Sequence, residues 1–304
     1  MRVFVAGATG VLGRRAVPAL VAAGHSVTAV VRSPAKAALA RSLGATPVEV
    51  SLFDAGALRA AAAGHDAVCN LATHIPPLRR AADPRAWEEN TRIRTEGSHN
   101  LADAALAAGA KVYVQESIAF LYGDHADEWV DASTTPIGDT RFTAPVRAAE
   151  SEAKRFADSG GTGVVLRFGG FQAPDSDQTL TVLRSARRGL AVEPGAPDGW
   201  FPVIDADDAA RAVVAALDVP SGTYDVVDDE PLRRSEQRAA LAAAVGRRRL
   251  FVMPSAKKVV GPLADSQRVS NRRFRDATGW EPRVRSVRDG WPATARAAGV
   301  EPAL

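Results

Sequence analysis

The chain has 304 residues, 46% hydrophobic and 24% charged, with a formal net charge of +3, which suits one large α/β unit with a smaller appended lobe. No apolar run approaches the roughly 20 residues of a membrane span, and the arginines form no basic block with interleaved aromatics of the kind that binds nucleic acid. A single cysteine, Cys69, rules out a disulfide within the chain, and Met1 opens directly into an apolar run with no room for a signal peptide, so a cytoplasmic protein is expected.

Residues 1–13 read MRVFVAGATGVLG. Val3 to Ala6 is the short apolar run of a buried strand, and residues 11–23 carry the apolar stripe of a helix. Gly7, Gly10 and Gly13 stand between them at three-residue spacing. In that setting the first glycine makes the tight turn, the second lets backbone approach a phosphate, and the third lets the helix lie close to the strand. The helix N-terminus then points free N–H groups at an anion. Tight strand–turn–helix corners also use glycine without a ligand, but here a second strand follows, and a dinucleotide site is the reading adopted.

The second strand is predicted at 25–32, and its end matters. A free ribose 2′-hydroxyl is usually held there by Asp or Glu, and a 2′-phosphate by a cation. This chain has Arg32, then Ser33, with Lys36 one turn into the next helix, which favours NADPH over NADH; the alternative is an ordinary solvated arginine. A third strand is predicted at 47–52, with Asp54 capping the next helix. A fourth at 66–71 runs into Ala72, Thr73, His74 and Ile75, a loop at the carboxyl end of its strand, where open parallel sheets bind ligands.

A long helix is predicted over 85–108, a fifth strand at 111–115 leading to Glu116 and Ser117, a helix over 143–158 and a sixth strand at 163–167. Strands and helices alternating at this interval predict a Rossmann-type, doubly wound parallel sheet. Residues 171–177 read as loop, 201–204 and 223–227 as strands rejoining the sheet, and the last 75 or so residues as mostly helical, on the same pattern reading. The expected division is a dinucleotide-binding domain over 1–170, with 202–228 returning to its sheet, and a smaller, mostly helical substrate lobe from 171–201 and 229–304.

The order of motifs resembles the extended, or atypical, short-chain dehydrogenase/reductases over nearly the whole chain. The resemblance rests on GATGVLG at 7–13, NLA at 70–72, NTRIRTEGSHNL at 90–101 and Ser117 ahead of Tyr122-Gly123. It continues in VVLRFGGFQAP at 164–174, ADDAARAVVAAL at 206–217 and SNRRFRDATGWEP at 270–282. It implies that Gly7, Thr9, Gly10, Val11, Leu12 and Gly13 carry the pyrophosphate of NADPH and that Ser51 and Leu52 flank the adenine. It also implies that Leu71, Ala72, Thr73, Gln115, Phe168 and Phe171 border the nicotinamide side. No metal is implied.

The chain departs from that family in its chemistry. Members set a serine at the end of the fifth strand against Tyr-x-x-x-Lys on the next helix. Ser117 matches the serine, but the helix has no tyrosine, its only lysine is Lys154, and Phe142 and Val146 fall where the dyad belongs. Ser117, Thr73, His74, water or the substrate is therefore the expected source of a proton. Glu116 either contacts substrate or caps the turn. The expected activity is NADPH-dependent reduction of a ketone on a bulky, aromatic, polyketide-like molecule, as in atypical members that tailor angucycline-type products. Competing readings are a nucleotide-sugar epimerase or dehydratase, a reductase of conjugated C=C bonds, and a non-catalytic NADPH sensor. A monomer or homodimer is expected.

Overall fold

The structure is a computed structural model that describes residues 1–77, 80–138, 140, 142–252 and 261–300. The first half alternates as read from the sequence: β1 (Arg2–Ala6), α1 (Gly13–Ala22), β2 (Ser26–Val31), α2 (Pro34–Ser42), β3 (Thr46–Glu49), α3 (Ala55–Ala62) and β4 (Ala67–Asn70). Two helix starts follow directly from short polar side chains. Ser33 Oγ accepts the Lys36 N–H at 3.4 Å, and Asp54 Oδ1 accepts the Ala57 N–H at 3.0 Å.

The predicted 85–108 helix is not uniform. A 3₁₀ turn (Pro84–Trp87) leads into α4 (Glu88–Arg92), a π turn (Ile93–Gly97) and α5 (Ser98–Ala107). Within the π turn the Ser98 hydroxyl donates to the Ile93 carbonyl at 3.3 Å, and Arg94 turns inward, 2% exposed. β5 (Val112–Ile118) is longer than expected, so Glu116 and Ser117 lie within the strand, opposite Leu166 and Arg167. After it come β6 (Trp129–Val130), α6 (Ala144–Asp158), β7 (Thr162–Phe168), β8 (Gly170–Gln172), α7 (Asp177–Arg187), β9 (Leu190–Ala191), β10 (Val203–Asp205), α8 (Ala206–Ala215) and β11 (Gly222–Val226).

The main sheet has seven strands in the order β3-β2-β1-β4-β5-β7-β11, all parallel. This is the Rossmann-type α/β fold expected. One face packs Val3, Val5, Val114 and Leu166 against Val17, Leu20 and Val213 of α1 and α8. The other packs Phe4, Val68 and Tyr113 against Leu58, Leu101 and Phe156 of α3, α5 and α6.

Two expectations change. Of the strands expected to rejoin the sheet, only β11 does; β10 pairs with β8 in a separate two-stranded sheet, so residues 170–172 are strand rather than loop. Gly169 permits the close approach this requires, since a Cβ there would stand 2.7 Å from the Val203 backbone. Residues 203–205 pair with 170–172, just beyond the end of β7, instead of extending the main sheet. Farther on, α9 (Arg234–Ala244) and, beyond β12 (Phe251–Val252), β13 (Arg268–Val269) and α10 (Arg272–Thr278), α11 (Val287–Ala297) join α7 around a third core that includes Leu183, Leu241 and Ala295.

Candidate active site

The glycine loop at the end of β1 is shaped by close approaches that only glycine permits. Gly7 has φ +77°, and a Cβ there would lie 2.4 Å from the Leu71 carbonyl oxygen. A Cβ on Gly13 would lie 2.2 Å from the Gly7 carbonyl oxygen. Gly10 differs: within 4 Å its Cβ would meet only that same oxygen, at 3.3 Å, so a side chain would stand in the mouth of the cradle. Leu12, the residue before α1, supplies no side-chain cap, and the Arg14 and Arg15 N–H groups already bond the Gly10 and Leu12 carbonyls at 3.0 Å, so the N–H groups open to an anion are those of Val11, Leu12 and Gly13. Arg14 and Arg15 tie this turn to Asp175 at 3.2 and 2.7 Å. The residues present fit a dinucleotide pyrophosphate.

Around the cradle, Leu12, Leu52, Leu71 and Ala72 are buried, Thr9, Val11, Ser33 and Phe171 half-buried, and Ser51, Thr73 and His74 exposed. Ser51 Oγ accepts the Phe53 N–H at 3.2 Å. Arg32 and Lys36 are exposed at the end of β2, and Arg32 pairs with Glu89 at 3.0 Å. The His74 N–H donates to Asn90 at 2.9 Å, which fixes the loop after β4 against α4. Phe168 and Phe171 pack against each other at the end of β7, with ring centroids 5.4 Å apart and planes tilted by 51°. Gln115 and Phe168 are placed differently from the rest, each only 1% exposed. Phe168 packs in the apolar core on the α1 and α8 side of the sheet. The Gln115 side-chain carbonyl accepts from Asn70 and Tyr113 and its amide donates to the Glu116 carbonyl, so Gln115 supports the loop after β4 from below the cradle surface.

Ser117 also departs from expectation. Its side chain is fully buried, and the hydroxyl donates to Glu150 Oε1 at 2.5 Å. Glu150 accepts two further bonds from Arg167, each 2.8 Å. Arg167 in turn donates to the Tyr122 hydroxyl at 2.9 Å, and that hydroxyl donates to Asp225 Oδ1 at 2.6 Å. The Ala132 N–H completes the chain at Asp225 Oδ2, at 2.7 Å. The Ser117 proton is thus committed to a carboxylate inside the protein, which does not fit the expected role of proton donor to a substrate. Lys154 lies on the surface and pairs with Asp158.

Glu116 pairs with the inward-turned Arg94 at 3.0 Å, both nearly without exposure. Burial pushes its carboxyl up, against the pull of the Arg94 guanidinium. Burial also pushes Asp225 up to about 7, opposed by the Tyr122 hydroxyl and Arg167. Glu150, Arg167 and Asp225 did not emerge as site residues from sequence. The available signal was a charge in the middle of an apolar strand, as in VVLRF and TYDVV, because such a charge must find a buried partner.

A family model described as NAD(P)H-binding matches residues 7–220. The chain belongs to this family. It is an NAD(P)-binding, epimerase/dehydratase-like short-chain dehydrogenase/reductase. Among curated proteins it is 34% identical to a 3-diazoavenalumate denitrifying reductase from a Streptomyces species, over 95% of this chain and 99% of that one. Human epimerase family protein SDR39U1, solved with NADPH, superposes with a TM-score of 0.80 at 27% identity, over 97% and 99% of the two chains. UDP-glucose 4-epimerase of Thermotoga maritima shares the fold, with a TM-score of 0.80 at 19% identity over 98% of each chain. Among the described residues, no helix is long and apolar enough to cross a membrane.

Proposed function

We propose that this protein is an NADPH-dependent reductase of a bulky aromatic small molecule whose reduction does not depend on a proton from a protein tyrosine. The observation that carries this reading is the Ser117–Glu150 bond, together with the absence of Tyr-x-x-x-Lys on α6. Within the cradle, a reduced nicotinamide supplies a hydride. The N–H groups of Val11, Leu12 and Gly13 would hold the pyrophosphate, and Arg32, Ser33 and Lys36 would meet the 2′-phosphate. Phe171, backed by the buried Phe168, would border the nicotinamide, and Thr73 and His74 line the exposed rim on the β4 side. Support for NADPH comes from Arg32 and from the NADPH-bound human relative.

An arrangement without a committed acid suits two substrate classes. In the first, a ketone beside a phenol, hydride addition makes a C–H bond and the phenol passes its proton to the new alkoxide. Positioning alone contributes roughly 7–11 kcal/mol to such a step, against the ~10²–10⁴-fold that a general acid adds. The second class is favoured by the Streptomyces relative, whose name specifies denitrifying reduction of a diazo compound. There hydride replaces nitrogen on carbon: a C–H bond forms, the C–N bond breaks, N₂ leaves, and no alkoxide needs a proton.

The test follows NADPH consumption optically against aromatic ketones with and without an adjacent phenol, and against arenediazonium salts, with NADH in parallel. Oxidation dependent on the adjacent phenol assigns the first class; N₂ release in step with NADPH loss assigns the second. Tight NADPH binding without turnover on any of them would sink the reductase reading and leave a sensor.

A further inference from the structure

Arg32 does not stand free at the end of β2. Its Nη1 lies 3.0 Å from Glu89 Oε1, and the other oxygen of that carboxylate faces His74 Nε2 at 3.7 Å. Glu89 belongs to α4, on the crossover from β4 to β5, whereas Arg32 follows β2. In the sheet β1 separates β2 from β4, so the pair bridges the carboxyl end of β1, where the glycine cradle begins. A carboxylate therefore takes one donor edge of the cation assigned to the cofactor's 2′-phosphate.

We propose that Glu89 is a cofactor-discriminating residue that competes with the 2′-phosphate of NADPH for Arg32. The inference rests on the reading of Arg32 as the 2′-phosphate partner. A phosphate dianion and a carboxylate both want the guanidinium fork, and their like charges prevent them from sharing it at close range. NADPH must displace Glu89; NADH, which has no 2′-phosphate, has no such contest. The displaced carboxylate has a second partner within reach in His74, on the loop that also carries Thr73. The pair is exposed on both sides, with side chains 65% and 43% accessible, so its strength is that of a surface ion pair and its displacement costs little. The effect on affinity is correspondingly about 2- to 5-fold.

The experiment measures dissociation constants for NADPH and NADH by cofactor fluorescence on the wild type, Glu89→Gln, Arg32→Ala and the double variant. Circular dichroism checks that each is folded. Expected results are a ~2- to 5-fold tighter NADPH complex in Glu89→Gln, an NADH affinity within about twofold of wild type, and loss of the NADPH gain when Arg32 is also replaced. Unchanged or weaker NADPH binding in Glu89→Gln, or an equal gain for both cofactors, overturns the competition. If that happens while Arg32→Ala still weakens NADPH selectively, the 2′-phosphate reading survives without it. An unchanged NADPH-to-NADH ratio in Arg32→Ala removes both.

Discussion

Ser117→Ala separates a proton donor from a structural hydroxyl. The substitution removes one donor from Glu150, which keeps both 2.8 Å bonds to Arg167 and so is not left unpaired. A hydrogen bond to a charged group is worth ~1.5–3 kcal/mol, and with the carboxylate still held the loss falls at the lower end, about 1–2 kcal/mol. For a chain of this size that is a fall in Tm of about 2–4 °C. Turnover should stay within about threefold of wild type, because the hydroxyl does not deliver its proton to substrate. A proton donor would instead lose ~10²–10⁴-fold in kcat. The assay is steady-state NADPH oxidation on the best substrate of the panel, with Tm by calorimetry on the same preparations. A hundredfold loss of kcat with an unchanged Tm would refute the reasoning and restore Ser117 as the acid.

Three further outcomes follow from the same geometry. Arg167→Met strips the partner from a nearly buried Glu150 (side chains 8% and 12% accessible) and should cost ~3–5 kcal/mol by chemical denaturation; Lys154→Ala, at an exposed pair, should cost less than about 0.5. Gly10→Ala places a methyl in the mouth of the cradle with a single tight backbone contact, 3.3 Å to the Gly7 carbonyl oxygen, which a shift of a few tenths of an ångström relieves. NADPH affinity should fall at least ~10-fold while Tm moves by less than about 2 °C, as read by fluorescence titration and calorimetry. Asp225 is raised to about 7, so the folded protein holds a proton that the unfolded chain releases near pH 4. Its contribution is complete below about pH 4 and is lost as pH climbs to about 7. Asp225→Asn should flatten this part of the stability–pH curve, and an unaltered slope would count against a raised carboxyl.

What could be read from the sequence was what is local. β1, the glycine turn and α1 sit within the first 22 residues, and the glycine spacing carries its own geometric reason. The caps Ser33 and Asp54 act within three residues of themselves. The missing Tyr-x-x-x-Lys was visible because a helix either has those residues or does not. The π turn was not visible, because Arg94 turns inward toward Glu116, 22 residues away. The contest for Arg32 was hidden for the same reason, since Glu89 is 57 residues on and is brought close only by the strand order. β10 read as a sheet strand because its apolar pattern is that of a strand; that pattern does not name its partner, β8, which Gly169 lets it approach.

The network from Ser117 to Asp225 ties the carboxyl ends of β5, β7 and β11 to α6 and to the loop after β5. Glu150 lies two turns beyond Phe142, where the family's tyrosine belongs, on the helix that would carry the dyad. It is fixed from the sheet side by Ser117 and Arg167, on the adjacent strands β5 and β7. Arg167 then reaches Tyr122 in the following loop, and Asp225 on β11 closes the chain. Charges buried this way do not make the protein more stable than an apolar core would; their defensible role is to specify one arrangement, because every alternative leaves a charge unpaired. What they specify is the carboxyl end of β5 and β7, beside which Phe168 and Phe171 pack. A reductase that supplies no acid has to rely on where its hydride donor and acceptor are held. The buried polar chain of Ser117, Glu150, Arg167, Tyr122 and Asp225 fixes the strand ends beside the cradle.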